Sequence, residues 1–161
     1  MMSVKQILNG LIISIALASC KGDDGPAGPQ GPAGSNGAAN VSSTDYTAAP
    51  SSWTNGASGW YINVSVPALT DATKDVVSVY VQLTSGGAWW ALPTYNLYYT
   101  NDVAGFSFVN GTVTLSYKFT LSPPNTWYYR IVVVPAAIAI ESRDVNFNNY
   151  DEVKTTFNLP D

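Results

Sequence analysis

The chain of 161 residues has no histidine and a single cysteine. Without an imidazole base, the Ser–His and Cys–His forms of nucleophilic catalysis are excluded. Zinc sites built from histidine and cysteine are excluded with them. Basic residues are scarce, seven against eleven acids, and they form no cluster. That balance argues against nucleic acid as a partner and against charge-driven docking to anionic lipid. A long hydrophobic run near the start is also missing. Leu11 to Ala18 is mainly apolar but only eight residues long. As a helix it covers roughly 12 Å, well short of the ~20 residues that span a bilayer.

What is there begins with the position of the one cysteine. Lys5 supplies a basic start, the Leu11 to Ala18 stretch follows, and Leu17-Ala18-Ser19-Cys20 closes it. Small residues and a cysteine fall together where a cleavage site belongs. The segment 1–19 therefore reads as a bacterial lipoprotein signal, cut before Cys20, with lipid on the sulfur and on the new amino terminus. Two or more acyl chains anchor a protein stably without a transmembrane helix. The mature chain then keeps six basic and eleven acidic residues, a net charge of −5. It also has no disulfide, so its core must hold by packing alone.

Residues 20–40 carry a second pattern. Gly22, Gly25, Gly28, Gly31, Gly34 and Gly37 are spaced by three, with Pro26, Pro29 and Pro32 following successive glycines. Only glycine fits the crowded axis of a collagen triple helix, so this period points to a collagen-like stalk. Extended, the eighteen residues reach roughly 56 Å at ~3.1 Å per residue. Six triplets are few for holding three chains together. A homotrimer and a monomeric polyproline-type stalk both remain open.

From residue 41 the composition changes. All twenty aromatic residues lie in the segment 41–161. Its 121 residues suffice for one core and are too few for two domains. Val41 to Ser52 is rich in Ser, Thr and Ala and reads as linker leading into a strand. Ile62, Val64 and Val66 alternate with Tyr61, Asn63 and Ser65. Val77 to Thr84 and Val113 to Phe119 repeat the pattern, the period of half-buried strands. Trp89 to Tyr99 reads as a strand interrupted at Pro93, by an edge or a bulge. Asn110-Gly111 between apolar runs signals a tight hairpin, with both turn positions at positive φ. Trp127 to Val134 is continuously apolar and suits a central strand. Asn149-Tyr150-Asp151-Glu152, followed by Val153 and Phe157, predicts one short helix with a capping-box variant, stopped near Pro160. The expected fold is all-β, an antiparallel β-sandwich with one short C-terminal helix.

Few residues in 41–161 suggest chemistry. A glycosidase needs two carboxylates facing one cleft, and most acids here sit at turn or cap positions. Asp144-Val145-Asn146-Phe147-Asn148 imitates the start of a calcium loop. Asn149 stands where glycine is required and Thr155 where a bidentate glutamate is required, so an EF-hand is rejected. A looser calcium site on Asp144 and Asn146 competes with a solvated loop. No metal, cofactor or catalytic residue is expected. Trp53, Trp60, Trp89, Trp90 and Trp127 offer flat faces that stack on sugars, although packing is the usual role of such residues. Trp89 and Trp90 are the candidate ligand platform, because adjacent strand residues point to opposite faces.

The order of motifs resembles the collagen-like lipoproteins of the Bacteroidetes group, which carry a β-rich C-terminal domain. The resemblance rests on the Leu17–Cys20 signal and the triplets, then Val66-Pro67-Ala68-Leu69-Thr70 and Val79-Tyr80-Val81. Trp90-Ala91-Leu92-Pro93, Tyr129-Arg130-Ile131-Val132-Val133, and the terminal Asn149 to Lys154 and Asn158 to Asp161 complete it. It implies no enzymatic activity. It also implies that Lys21, Asp23 and Asp24 act as an export signal to the outer-membrane surface, with Gly22 interrupting the usual charge run. The sequence thus leads to a non-enzymatic surface lipoprotein with a structural or adhesive role. The alternative is a module that binds a glycan or an extracellular protein through exposed aromatics.

Overall fold

A computed structural model describes residues 40–160. The alternating segments form nine strands: β1 (Ser42–Ala48), β2 (Thr54–Gly56), β3 (Gly59–Ser65), β4 (Val76–Gln82), β5 (Trp90–Ala91), β6 (Thr94–Tyr95), β7 (Val103–Val109), β8 (Thr112–Lys118) and β9 (Trp127–Val134). Two helices follow, α1 (Ala136–Glu141) and α2 (Tyr150–Phe157). All strand pairs are antiparallel. They make a four-stranded sheet ordered β1-β9-β4-β5 and a five-stranded sheet ordered β2-β3-β8-β7-β6. The fold is the expected all-β sandwich.

Period-two patterning places the first core between the sheets. Ile62 and Val64 on β3 face Leu115 and Val113 on β8, and all are buried with Val79, Val81, Ile131 and Val133 of the facing sheet. Trp53, Tyr117, Trp127 and Tyr129 fill one part of this core, with ring centroids 5.1–6.4 Å apart in tilted and edge-on pairs. Edge-on geometry sets the positive rim of one ring against the negative face of the next.

The four-stranded sheet is covered on its second face as well. Tyr80, Val132 and Val134 pack there against Tyr150, Val153, Phe157 and Leu159. This explains why β9 reads as a continuous apolar run, and it corrects the half-buried reading of β4, whose two faces are both buried. β9 lies between β1 and β4, the central position expected of it.

Several sequence expectations are corrected. The segment read as linker leading into a strand is already a full strand, β1, over residues 42–48. The segment Trp89 to Tyr99 is two edge strands: β5 pairs with β4, and after Pro93 β6 pairs with β7 of the other sheet. Pro93 therefore stands where the chain changes sheets. In the Asn110-Gly111 hairpin only Gly111 has positive φ, at 75°. The reason is tertiary. Gly111 N–H donates to Leu69 O, Gly111 O accepts from Val66 N–H, and Asn110 Oδ1 accepts from Ala72 N–H. Docking on the 66–72 loop, rather than strand twist alone, sets the turn.

The predicted helix is α2. Asn149 Oδ1 accepts from Asp151 N–H and Glu152 N–H, as an N-cap should. Glu152 departs from a capping box: its Oε1 accepts from Asn146 N–H at 2.9 Å. The helix ends at Asn158, whose φ of 49° is left-handed. α1 was not expected; it has no buried residue and six residues show too little of a helical period. Among the described residues, no helix is long and apolar enough to cross a membrane.

Candidate ligand-binding site

Strand register assembles one polar site on the helix-covered face of the four-stranded sheet. Asp45 on β1 lies opposite Arg130 on β9, which lies opposite Tyr80 on β4. Two residues along each strand, Thr47, Tyr128 and Gln82 form the next row on the same face. Arg130 is only 4% exposed. A buried guanidinium persists when its donors are met. Its Nε and Nη2 donate to the two Asp45 carboxylate oxygens at 2.6 and 2.7 Å, a bidentate fork. Its Nη1 donates to the Tyr150 hydroxyl and to Pro160 O. The hydrogen bond to Asp45 raises its proton affinity further and outweighs burial. One charge thus joins β1, β9, α2 and the C-terminal segment.

Trp89 stands over this group. The Arg130 guanidinium covers one face of the indole at 5.3 Å, and the Tyr150 ring lies 5.2 Å away. The loop presenting Trp89 is held by Gln82. Its Nε2 donates to Gly87 O at 2.6 Å and its Oε1 accepts from Gly86 N–H at 3.3 Å. Gly86 in this loop has a φ of 75°, a left-handed conformation that favours glycine.

Two hollows open beside Trp89. The smaller, about 180 Å³, is lined by Asp45, Thr47, Gln82 and Tyr128, among others. The larger, about 470 Å³, is lined by Gly87, Ala88, Asn148, Asn149, Tyr150 and Asp151. Trp89 is a wall of both. A third hollow of about 500 Å³ lies among residues 57–59, Asn101, Val103 and Lys118–Thr120.

Of the residues singled out from sequence, Trp89 lines the two hollows. Trp90 does not. It pairs with Val81, a residue of the inter-sheet core, and is 52% exposed at the β5 edge. The adjacent tryptophans do point to opposite faces, and only one belongs to this site. Cys20, Lys21, Asp23 and Asp24 lie outside the described residues, as do the signal segment and the Gly-X-Y triplets. Asn146 Oδ1 accepts from Asn148 N–H, and Glu152 bonds Asn146 N–H, so the Asp144–Asn148 loop is built as a turn feeding α2. Among the described residues, no three His, Cys, Asp or Glu side chains gather to hold a metal.

Asp45, Gln82, Tyr128 and Arg130 are site residues that sequence reading missed. A signal for Arg130 was present: one arginine inside the apolar run Trp127–Val134 demands a buried partner. Its partner Asp45 is 85 positions away in sequence. No protein-family model matches the chain, and no match was found among curated proteins or solved structures. The likeness to collagen-like lipoproteins therefore rests on the sequence motifs alone.

Proposed function

We propose that the protein is a non-enzymatic lipoprotein of the outer-membrane surface, holding a β-sandwich on a collagen-like stalk for structural or adhesive work. The observation that carries this reading is the placement of Cys20 at the end of Leu17-Ala18-Ser19, immediately before the glycine triplets. The absence of histidine from the whole chain supports a non-catalytic role. A second reading, ligand binding, is favoured by the two hollows that share Trp89.

The test is metabolic labelling with a palmitate analogue, combined with protease treatment of whole cells. Wild type should take the label and be degraded from outside. Cys20→Ser should take none, and replacing Lys21, Asp23 and Asp24 with alanine should reduce external degradation. Labelled protein found only in the inner membrane and shielded from protease sinks the surface reading.

A further inference from the structure

We propose that the two hollows that share Trp89 as a wall are neighbouring subsites for a neutral, polyhydroxylated chain, an oligosaccharide whose successive sugars occupy one hollow and then the other. This deepens the ligand-binding reading by naming the ligand class and the site.

The lining chooses the ligand. The larger hollow falls in the ~300–1,000 Å³ range of small-molecule sites, and the smaller has room for one sugar ring. Both combine aromatic surface with oxygen- and nitrogen-bearing side chains. Tyr128 gives a flat apolar face for the C–H side of a ring, and Trp89, one face of which Arg130 covers, gives the rest of its apolar surface. Asp45, Thr47, Asn148 and Asp151 give acceptors and donors for its hydroxyls. Asp45 suits this double use: its side chain is 60% exposed while both oxygens hold Arg130. Each carboxylate oxygen has a further lone pair for a hydroxyl donor.

Charge removes the alternatives. The cation at the site, Arg130, is buried, and its nitrogens already serve Asp45, Tyr150 and Pro160. It is therefore not offered to a phosphate, sulfate or uronate, and Asp151 on the rim repels them. Asp45 is neutralised by Arg130, so a cationic peptide gains little in the smaller hollow. The polar walls of the larger hollow disfavour a lipid tail there. The site is also braced before any ligand arrives, by the Gln82 clamp and the Arg130 fork, which lowers the entropic cost of binding.

The experiment is calorimetric titration of the full-length chain in detergent with cellohexaose, xylohexaose, mannohexaose, laminarihexaose and maltohexaose. Hexagalacturonate serves as the anionic control. At least one neutral hexasaccharide should bind and shift the tryptophan fluorescence. Thr47→Trp fills the smaller hollow from an exposed strand position and leaves Trp89 in place. It should weaken binding at least about tenfold, a loss of ~1.4 kcal/mol. Trp89→Ala should do the same, whereas Trp90→Ala should leave affinity within about twofold. Thr47→Trp guards the result if Trp89→Ala does not fold. The proposal is overturned if no neutral hexasaccharide binds, if Thr47→Trp binds as wild type does, or if hexagalacturonate binds more tightly. Cleavage of a bound hexasaccharide would instead overturn the non-enzymatic reading, so the two can fail separately.

Discussion

At the scale of single residues, two buried polar side chains with opposite fates make the sharpest contrast. Asp102 is fully buried between β6 and β7 in sequence. Its oxygens accept from the N–H groups of Leu97, Tyr98 and Tyr99 and from the Tyr117 hydroxyl, at 2.7–2.9 Å. Burial alone would raise its pKa, but these donors outweigh it and hold the carboxyl below its ordinary value. A depressed folded value means the stabilisation is complete above the unfolded pKa of ~3.9 and is lost as pH falls through the folded one. Asp102→Asn places an NH2 group against this ring of donors. It should cost about 2–3 kcal/mol at neutral pH. In denaturant titrations the gap from wild type should stay constant from about pH 5 to 8 and narrow below about pH 4. A gap that widens in acid would falsify the assignment. Tyr129 is the converse. Its hydroxyl is buried and has no hydrogen-bond partner among the described residues. Tyr129→Phe should therefore be neutral or stabilising, whereas Tyr117→Phe should cost about 1–2 kcal/mol through the donor it removes from Asp102. Equal melting temperatures for the two variants would contradict this.

At the scale of elements, α2 is held by its ends and by one charge on β9. Asn149→Ala removes the N-cap and should cost about 1 kcal/mol in thermal melts. Arg130→Ala leaves the Tyr150 hydroxyl and Pro160 O without their buried donor, while the exposed Asp45 turns to water, and should cost about 1–3 kcal/mol. A loss under 1 kcal/mol would show that apolar packing alone docks the helix. Elements differed in legibility for physical reasons. β3, β4 and β8 announce themselves through alternation or β-branched runs. The cap at Asn149 is local chemistry, so α2 was legible too. β5 and β6 were not separable, because nothing within residues 90–95 says which sheet each joins. α1 buries no residue, so no apolar stripe marks it. The site shows the same divide. Trp89 is visible as a residue type, but its neighbours Asp45, Gln82 and Arg130 meet only through strand register, which no local pattern records.

At the scale of the whole molecule, stability rests on two apolar cores that share one sheet. With one cysteine in the chain, no intrachain disulfide can contribute. A reducing agent should leave the melting temperature unchanged, and a drop on adding it would reveal a covalent link between chains at Cys20.

The placement of β1 has a mechanical consequence. It is an edge strand paired with β9 along its whole length, from Ser42 opposite Val133 to Ala48 opposite Trp127. The chain enters at the Ser42 end, and Thr47 borders the smaller hollow near the other. Tension applied from the amino-terminal side, and resisted by a ligand gripped beside Trp89, would run along the strand axis. The ladder would be pulled in shear, its bonds sharing the load together, rather than peeled open one at a time. The Asp45–Arg130 fork sits mid-strand as a cross-pin against that sliding. In this geometry β1 resists a load along its axis through all seven of its paired residues at once.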